Sequence, residues 1–483
     1  MYIGRVAKSD QAVEEGAKKR SLAVATTYDE LCGIAGFSRC LVAAIEPHFK
    51  VEVFDLDQFL LRSTDRVGRR KADAYFRSLC RRLAGFDIVN LQLEYGLLGA
   101  VPVDIFRRLK WLLSAARQVS VTFHTVPRYE RLEWGGVLQR LRVFDLSGAV
   151  NHLGALLYSN SVAAKTFRLL RQVAKRKSVR LIVHTRSDRR YLEVVGDFKN
   201  VFDHPLSFLR PEEAAQVLNS VPSRHLSSIV SIDEGCKSIG VFGFLSAYKG
   251  FETAIRAMKY LPANYHLLIF GGVHPNDVVP RMVQPYVKDL MREITADHTL
   301  LDRLQSRSAE EEQRSEKHRV SPLTLNVASK TDVSDLVEGQ ADSLVRRVHF
   351  AGTLPDEQFF AAMASCDVIV LPYHEVGQSS SGPASLAIEL GRRTLVSRTR
   401  GFLQLGRYFP NRLEYFDVGN HLQLAELLKK QDPVQVYSQQ PLGLETLKNM
   451  YVAAHAEDVR PHEIAPLAIG NKVKGLDVRI AGT

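Results

Sequence analysis

The sequence is poor in the features that mark secreted, membrane-embedded or metal-built proteins. Its first twenty residues, MYIGRVAKSDQAVEEGAKKR, carry charge throughout and lack the apolar stretch of a secretory signal. No run reaches the ~18 uninterrupted apolar residues of a membrane-spanning helix. The five cysteines, Cys32, Cys40, Cys80, Cys236 and Cys366, are odd in number, far apart and never spaced C-x-x-C. That pattern suggests neither a disulfide framework nor a zinc site, and a reducing cytoplasm is the simplest home. The basic clusters Arg69–Lys71 and Lys175–Lys177 lack interleaved aromatics, so no stacking platform for single-stranded nucleic acid is expected.

What is present is the composition of a soluble globular chain, 45% hydrophobic and 24% charged over 483 residues. This length fits two α/β domains of roughly 150–200 residues each with connecting pieces. The net charge of +11 is unevenly spread. Residues 1–200 hold 34 Lys and Arg against 20 Asp and Glu, a net +14, and the remainder holds 30 against 33, a net −3. A basic half attracts nucleic acid, anionic lipid or an acidic saccharide, or is an ordinary solvated surface; charge alone does not choose among these. The lack of aromatics in the clusters places nucleic acid below membrane proximity.

The first half alternates short β-rich runs with helical spacing. Leu22–Thr27, Val51–Asp55, Asp87–Gln92 and Val119–His124 read as strands, Ala72–Leu83 and Val103–Leu113 as helices, and Ala155–Ser159 and Val179–His184 as further strands. Pro211–Lys237 is irregular and polar. A second alternation runs through strand Ser238–Gly243, helix Phe251–Met258, strands Tyr265–Phe270 and Val345–Phe350, helix Glu357–Ser365, strand Asp367–Pro372, helix Ala384–Leu390 and strand Thr394–Ser397. Both halves therefore predict doubly wound parallel sheets with a cleft at their strand carboxyl ends. The expected organisation is a basic tail 1–20, a Rossmann-like domain 21–210, a linker 211–237, a second Rossmann-like domain 238–425 and a closing segment 426–483. Residues 276–344 read as a polar, partly helical surface insertion whose middle, Ser306–Asp335, is too polar to build a core.

Three places carry chemistry. Gly243–Gly250 (GFLSAYKG) takes a strand into a glycine-flanked turn and a helix start, where backbone N–H groups, the helix terminus and Lys249 suit a diphosphate. Gly377–Gly382 (GQSSSG) offers Gly377, Gln378, Ser379, Ser380 and Ser381 ahead of a helix; it contains no Walker lysine and no G-x-G-x-x-G, so neither a P-loop nor a dinucleotide fingerprint is supported. In the first half, His124 ends a strand and Glu94, beside Tyr95, sits in the same topological place. A lone histidine is more often structural than functional, and Glu94 reads equally as a loop carboxylate. His152, His184 and His204 complete the local histidines, and no pair has metal-ligand spacing, so no metal site is expected.

In order along the chain, Cys32–Arg39 (CGIAGFSR), Asn90–Gly96, Phe123–Thr125 and Gly243–Gly250 resemble the glycine turn, cleft loops and donor-phosphate segment of retaining GT-B glycosyltransferases of the family-4 type. The resemblance spans about residues 20–425 outside the insertion. It implies transfer of a sugar from a nucleotide-sugar donor to a glycan or lipid-linked acceptor, as in polysaccharide biosynthesis, with retention by front-face attack and no metal or other cofactor. It also implies a cytoplasmic site at an anionic membrane face, and packing of the helix Leu442–His455 back toward the first domain. Carried over residue by residue, Gly33 lines the donor phosphates, His124 contacts the sugar near its reacting carbon, and Lys249 neutralises the leaving diphosphate. Glu375 joins them at the catalytic centre, with Phe244, residues 377–381 and Glu389 on the donor side and Glu94 and Tyr95 on the acceptor side.

Two departures stand against the pattern. Phe244 takes the place of the usual arginine before the donor lysine. The usual glutamate pair is missing its second member: Pro383 stands eight positions after Glu375, Leu386 takes the aligned place, and Glu389 lies one helical turn further on. An inactive scaffold of the same fold and a nucleotide-sugar epimerase are therefore the alternative readings.

Overall fold

The computed structural model describes residues 19–130 apart from Leu31, 146–220, 235–274, 282–295, 344–430 and 442–456, with Leu226, Ile232 and Val278 as isolated positions. Six strands form the first sheet: β1 Ser21–Thr26, β2 Lys50–Asp55, β3 Ile88–Leu93, β4 Gln118–Phe123, β5 Val179–Val183 and β6 Val201–Asp203. Six form the second: β7 Lys237–Phe242, β8 Tyr265–Phe270, β9 Val348–Gly352, β10 Val368–Leu371, β11 Arg393–Ser397 and β12 Glu414–Phe416. Every pairing is parallel. The central strands are buried because helices cover both faces of each sheet, and most of their residues are apolar.

The strand orders are β2-β1-β3-β4-β5-β6 and β12-β11-β10-β7-β8-β9. The order reverses between β1 and β3 in the first sheet and between β7 and β10 in the second. At such a switch point the loops leaving neighbouring strands part and open a crevice beyond the carboxyl ends. The sequences singled out above fall there: Cys32–Gly33 follows β1, Glu94 follows β3, Gly243–Gly250 follows β7 and residues 372–382 follow β10.

The apolar core has three parts. One lies behind the first sheet, under the helices Arg66–Leu83, Pro102–Ala115 and Leu146–Ala174, and a second lies behind the other sheet. The third joins the domains, running from Leu22, Val24 and Phe37 through Phe208 to Leu371 and Leu386, and including Leu447 and Tyr451. Helix Leu444–His455 thus returns from the second domain to lie against helix Gly33–Ile45 of the first.

Several sequence expectations change. Ala155–Ser159 is no strand; it lies inside the 29-residue helix Leu146–Ala174, in keeping with an Ala- and Leu-rich run. The stretch after Pro211 is not irregular throughout, since Pro211–Ser220 is a helix packed on Asp356–Ser365. The chain therefore crosses between domains before residue 211. The run starting at Val345 opens with a helical turn, Leu344–Arg347, before β9. Within the insertion, read as partly helical, Pro285–Ile294 is a helix that buries Val287 and Leu290. The tail before Lys19 and the insertion's middle, Ser306–Asp335, lie outside the described residues.

Candidate active site

The crevices of the two sheets face each other across a cleft of about 470 Å³, within the ~300–1,000 Å³ usual for small-molecule sites. On the second-domain side the turn after β7 is built by glycines whose backbone a side chain would strain. Gly243 has φ 126° and Gly250 φ 65°, where a side chain is strained, and a Cβ on Gly250 would collide with the Pro372 carbonyl. A Cβ on Gly243 would stand 3.3 Å from Lys249 Nζ. The turn folds Lys249 inward, leaving it 6% exposed, the one buried lysine among the described residues.

Lys249 Nζ donates to Tyr373 Oη at 2.6 Å and lies 4.0 Å from that ring's centroid. Burial pushes its pKa down, and Tyr248 beside it pulls partly back. Among the described residues no carboxylate bonds to Lys249, so a buried cation looks onto the cleft with no counter-ion from them. The backbone stitches the two phosphate-type turns together: His374 N donates to Tyr248 O at 2.7 Å. The His374 ring in turn bonds Glu252 at 2.7 Å.

The GQSSSG turn is split by this geometry. Gln378 and Ser380 line the cleft ahead of helix Gly382–Glu389, and Gln378 Oε1 is buried with no partner among the described residues. Ser379 and Ser381 face a small hollow behind the turn instead. Ser381 caps the helix and reaches Tyr373 Oη at 3.2 Å. Gly377, with φ 76°, is an exposed bend. Glu375 is exposed too and shapes the turn, accepting from Gly377 N at 3.0 Å and Arg400 N at 2.6 Å. Glu389 does not reach the cleft. Its carboxylate accepts from Ser207 Oγ and from the backbone N–H groups of Phe208 and Leu209, at 3.1 and 3.2 Å, in the interdomain crossing. Burial pushes that carboxyl up to about 8 against the pull of its donors. Leu386, one turn earlier, does line the cleft, so the place aligned to the second glutamate is apolar.

On the first-domain side, Gly33 opens helix Gly33–Ile45 toward the cleft, with empty space where a Cβ would stand. Cys32 caps that helix, its Sγ accepting from Ala35 N at 3.3 Å. Glu94 lines the cleft with Oε2 accepting from Thr125 Oγ1 at 2.8 Å, and burial raises its pKa. Tyr95 turns the other way: its hydroxyl bonds Thr166 at 2.9 Å and its ring packs on the first core, so it is no acceptor contact. His124 lines the cleft, edge-on to Phe37, with Nε2 3.0 Å from Gln92 Oε1. Burial, helped by neighbouring His184, holds it well below its ordinary pKa, so it is neutral.

Phe244 also lines the cleft, its ring 4.7 Å from that of His274. The sequence reading missed Gln58, Arg62, Thr353, Leu354 and Asp356, which complete the walls. Thr353 and Leu354 follow β9 as Gly33 follows β1, and a strand end at Gly352-Thr-Leu-Pro355 was the available signal. Among the described residues no group of three His, Cys, Asp or Glu is placed to hold a metal.

No protein-family model matches the sequence, and no curated protein matches it. Solved structures do match the fold. A trehalose-phosphate synthase (UDP-forming) from Burkholderia xenovorans, in complex with glucose-6-phosphate, is similar with a TM-score of 0.54 at 10% identity, over 90% of this chain and 99% of that one. A sucrose-phosphate synthase from Thermosynechococcus elongatus is similar with a TM-score of 0.51 at 14% identity, over 85% and 89%. With its two parallel sheets, facing switch points and returning C-terminal helix, the chain has the GT-B architecture of two Rossmann-like domains about a cleft.

Proposed function

We propose that the chain transfers a sugar from a nucleotide-sugar donor to an acceptor hydroxyl, with retention and without a metal. The observation that carries this reading is the buried, carboxylate-free Lys249 ammonium, which shares one cleft with Gln378, Ser380 and a helix start on its own side and with His124 and Gly33 opposite. The donor diphosphate fits between the β7 turn and the start of helix Gly382–Glu389. As the bond from sugar C1 to the phosphate oxygen breaks, that oxygen gains negative charge, which Lys249 and the helix terminus stabilise. The acceptor hydroxyl attacks C1 from the same face and its proton passes to the departing phosphate oxygen. No protein nucleophile takes part. His124 contacts the sugar, and Glu94 holds the acceptor. Glu375 and Gly377 act through the shape of the turn that presents Gln378 and Ser380.

The acceptor is a glycan or lipid-linked glycan, and the basic charge of the first domain supports a working position at the anionic cytoplasmic face of a membrane. No helix among the described residues is long and apolar enough to cross one. Leu386 in place of a ribose-binding carboxylate favours a second reading, a nucleotide-binding scaffold without turnover.

One experiment separates them. The purified chain is screened against nucleotide sugars by thermal shift and by release of free nucleotide. Uridine diphosphate sugars come first, because the similar Burkholderia enzyme is UDP-forming. A donor at a hundred times its Kd stabilises the fold by about 2.7 kcal/mol. Stabilisation with nucleotide release supports transfer; stabilisation without release supports the scaffold; a changed sugar still on its nucleotide identifies an epimerase. No stabilisation by any nucleotide sugar refutes all three.

A further inference from the structure

A run of polar side chains is buried where a parallel sheet ordinarily carries Val, Ile or Leu. Asn90 and Gln92 on β3 and Ser120 and Thr122 on β4 are at most 1% exposed and point to the same face. The register sets Asn90 opposite Ser120 and Gln92 opposite Thr122. Helix Leu444–His455 covers this face with two polar groups of its own, Tyr451 and His455, also at most 1% exposed. Burying such groups unpaired is costly, so their bonds must be complete.

The bonds have a direction that follows from chemistry alone. A backbone carbonyl only accepts, so His455 Nδ1, 2.6 Å from Tyr451 O, carries a hydrogen. Burial holds the His455 pKa down at about 4, so the ring is neutral and its Nε2 accepts. Ser120 Oγ, 2.7 Å away, donates to it and must itself accept from Asn90 Nδ2 at 2.8 Å. With the Asn90 nitrogen turned to Ser120, its Oδ1 accepts from Gln92 Nε2 at 2.6 Å. Gln92 Oε1 then faces His124 Nε2 at 3.0 Å and can only accept. Thr122 braces the chain midway, 3.2 Å from Asn90 Nδ2 and 2.8 Å from Tyr451 Oη. The helix end is tied to the first domain as well, by Arg20 on the His455 carbonyl and Arg180 on that of Ala456.

We infer that this relay makes helix Leu444–His455 the element that fixes the tautomer of His124: hydrogen on Nε2, bare lone pair on Nδ1. Asn90, Gln92, Ser120 and His455 are positioning residues, each acting on the cleft through the next. His124 is thereby held as an acceptor at Nδ1, suited to take a hydrogen bond from a ligand hydroxyl. The group facing it from the residue just past β5 is His184, with ring centroids 5.2 Å apart; Phe37 faces it from helix Gly33–Ile45. The inference rests on the proposed function only for what His124 does to the sugar, not for the tautomer itself.

The test is imidazole nitrogen NMR on the full chain labelled with ¹⁵N-histidine, with His124 assigned by its loss in His124→Gln. The wild type at pH 7.5 should show His124 protonated at Nε2 and bare at Nδ1. Ser120→Ala cuts the relay while removing one oxygen, and should release His124 into a tautomer mixture. His455→Gln can keep an acceptor for Ser120 and should preserve the wild-type spectrum; His455→Phe should not. If His455→Phe fails to fold, Ser120→Ala decides. With an active donor, Ser120→Ala should lower kcat by about tenfold or more with donor KM changed less than about twofold, against the ~10⁴ lost when a catalytic histidine is held in the wrong tautomer. A wild-type His124 protonated at Nδ1, or a folded Ser120→Ala protein with an unchanged His124 spectrum, overturns the inference. Absence of any turnover, with the tautomer as stated, sinks the proposed function and leaves the relay standing.

Discussion

Replacing Lys249 separates the reaction from the fold more sharply than any other change. The ammonium is buried, its pKa is pushed down by burial, and its partners are Tyr373 and two aromatic faces rather than a carboxylate. A unit charge 4 Å away at an effective dielectric of 20 interacts with it by about 4 kcal/mol. Loss of one such contact in a transition state costs ~2.7–4 kcal/mol, so Lys249→Ala should lower turnover by about a hundredfold or more. Phe244 supplies no second cation to share the load. Lys249→Arg should recover only part, because the side chain lies tight under Gly243, where even a Cβ would stand only 3.3 Å from Nζ, and a guanidinium fork is broader than an ammonium. The same burial carries a stability consequence. A lysine whose folded pKa lies below its unfolded value binds fewer protons when folded, so its charge opposes folding at neutral pH and that penalty fades as pH rises through the folded pKa and on to the unfolded one. Lys249→Met, which keeps the stem and removes the charge, should therefore show a Tm no lower than wild type at pH 7 while being inactive. Calorimetry beside a nucleotide-release assay measures both. A folded Lys249→Met that turns over donor at the wild-type rate would place the diphosphate elsewhere and refute the reading of the whole Gly243–Gly250 segment.

Acid should unfold the protein early: burial depresses His124, and His184, His204 and His455 to about 4, so the unfolded chain binds more protons below its histidine pKa of ~6.5. His184, His204 and His455 each remove up to ~1.4 kcal/mol of stability per pH unit between pH 6.5 and 4, and urea midpoints that do not move between pH 7 and 5 would contradict it. Glu94→Gln should leave nucleotide binding intact and lower transfer to acceptor, read as a changed ratio of donor hydrolysis to transfer; an unchanged ratio removes Glu94 from the acceptor side. Gly250→Ala should cost about 1–3 kcal/mol in urea denaturation, since φ 65° and the Pro372 carbonyl both oppose a Cβ.

Much of this architecture was legible. Buried parallel strands read as short apolar runs, and Tyr265–Phe270 and Phe251–Met258 fall on the residues that pattern marks. The strands that escaped, β6 and β12, have three residues each at sheet edges, too few for a period to register. At the site, the loops could be placed because strand carboxyl ends fix them; the direction of each side chain could not. Tyr95 is next to Glu94 and points into the core, while Glu389 is three residues beyond Leu386, about 4.5 Å further along the helix axis, and meets the crossing instead of the cleft. The polar relay left a readable trace, the alternation Asn90-Leu-Gln92 and Ser120-Val-Thr122 inside strands that should be wholly apolar. What it bonds to was not readable, because Tyr451 and His455 arrive from more than 320 positions away.

The two ends of the contact between domains differ in kind. At the crossing, Glu389 grips three donors of residues 207–209, and Arg186 lies 4.9 Å over the Tyr408 ring beside the Tyr408–Asp203 bond. Across the cleft mouth, Arg39 meets Asp356 at 2.6 Å, with 33% and 46% of the side chains in solvent. An exposed pair of this sort contributes about 0–1 kcal/mol and weakens with salt. The crossing is thus held by a buried carboxylate and its donors and the mouth by an exposed ion pair, so raising the ionic strength should loosen the mouth contact more than the crossing.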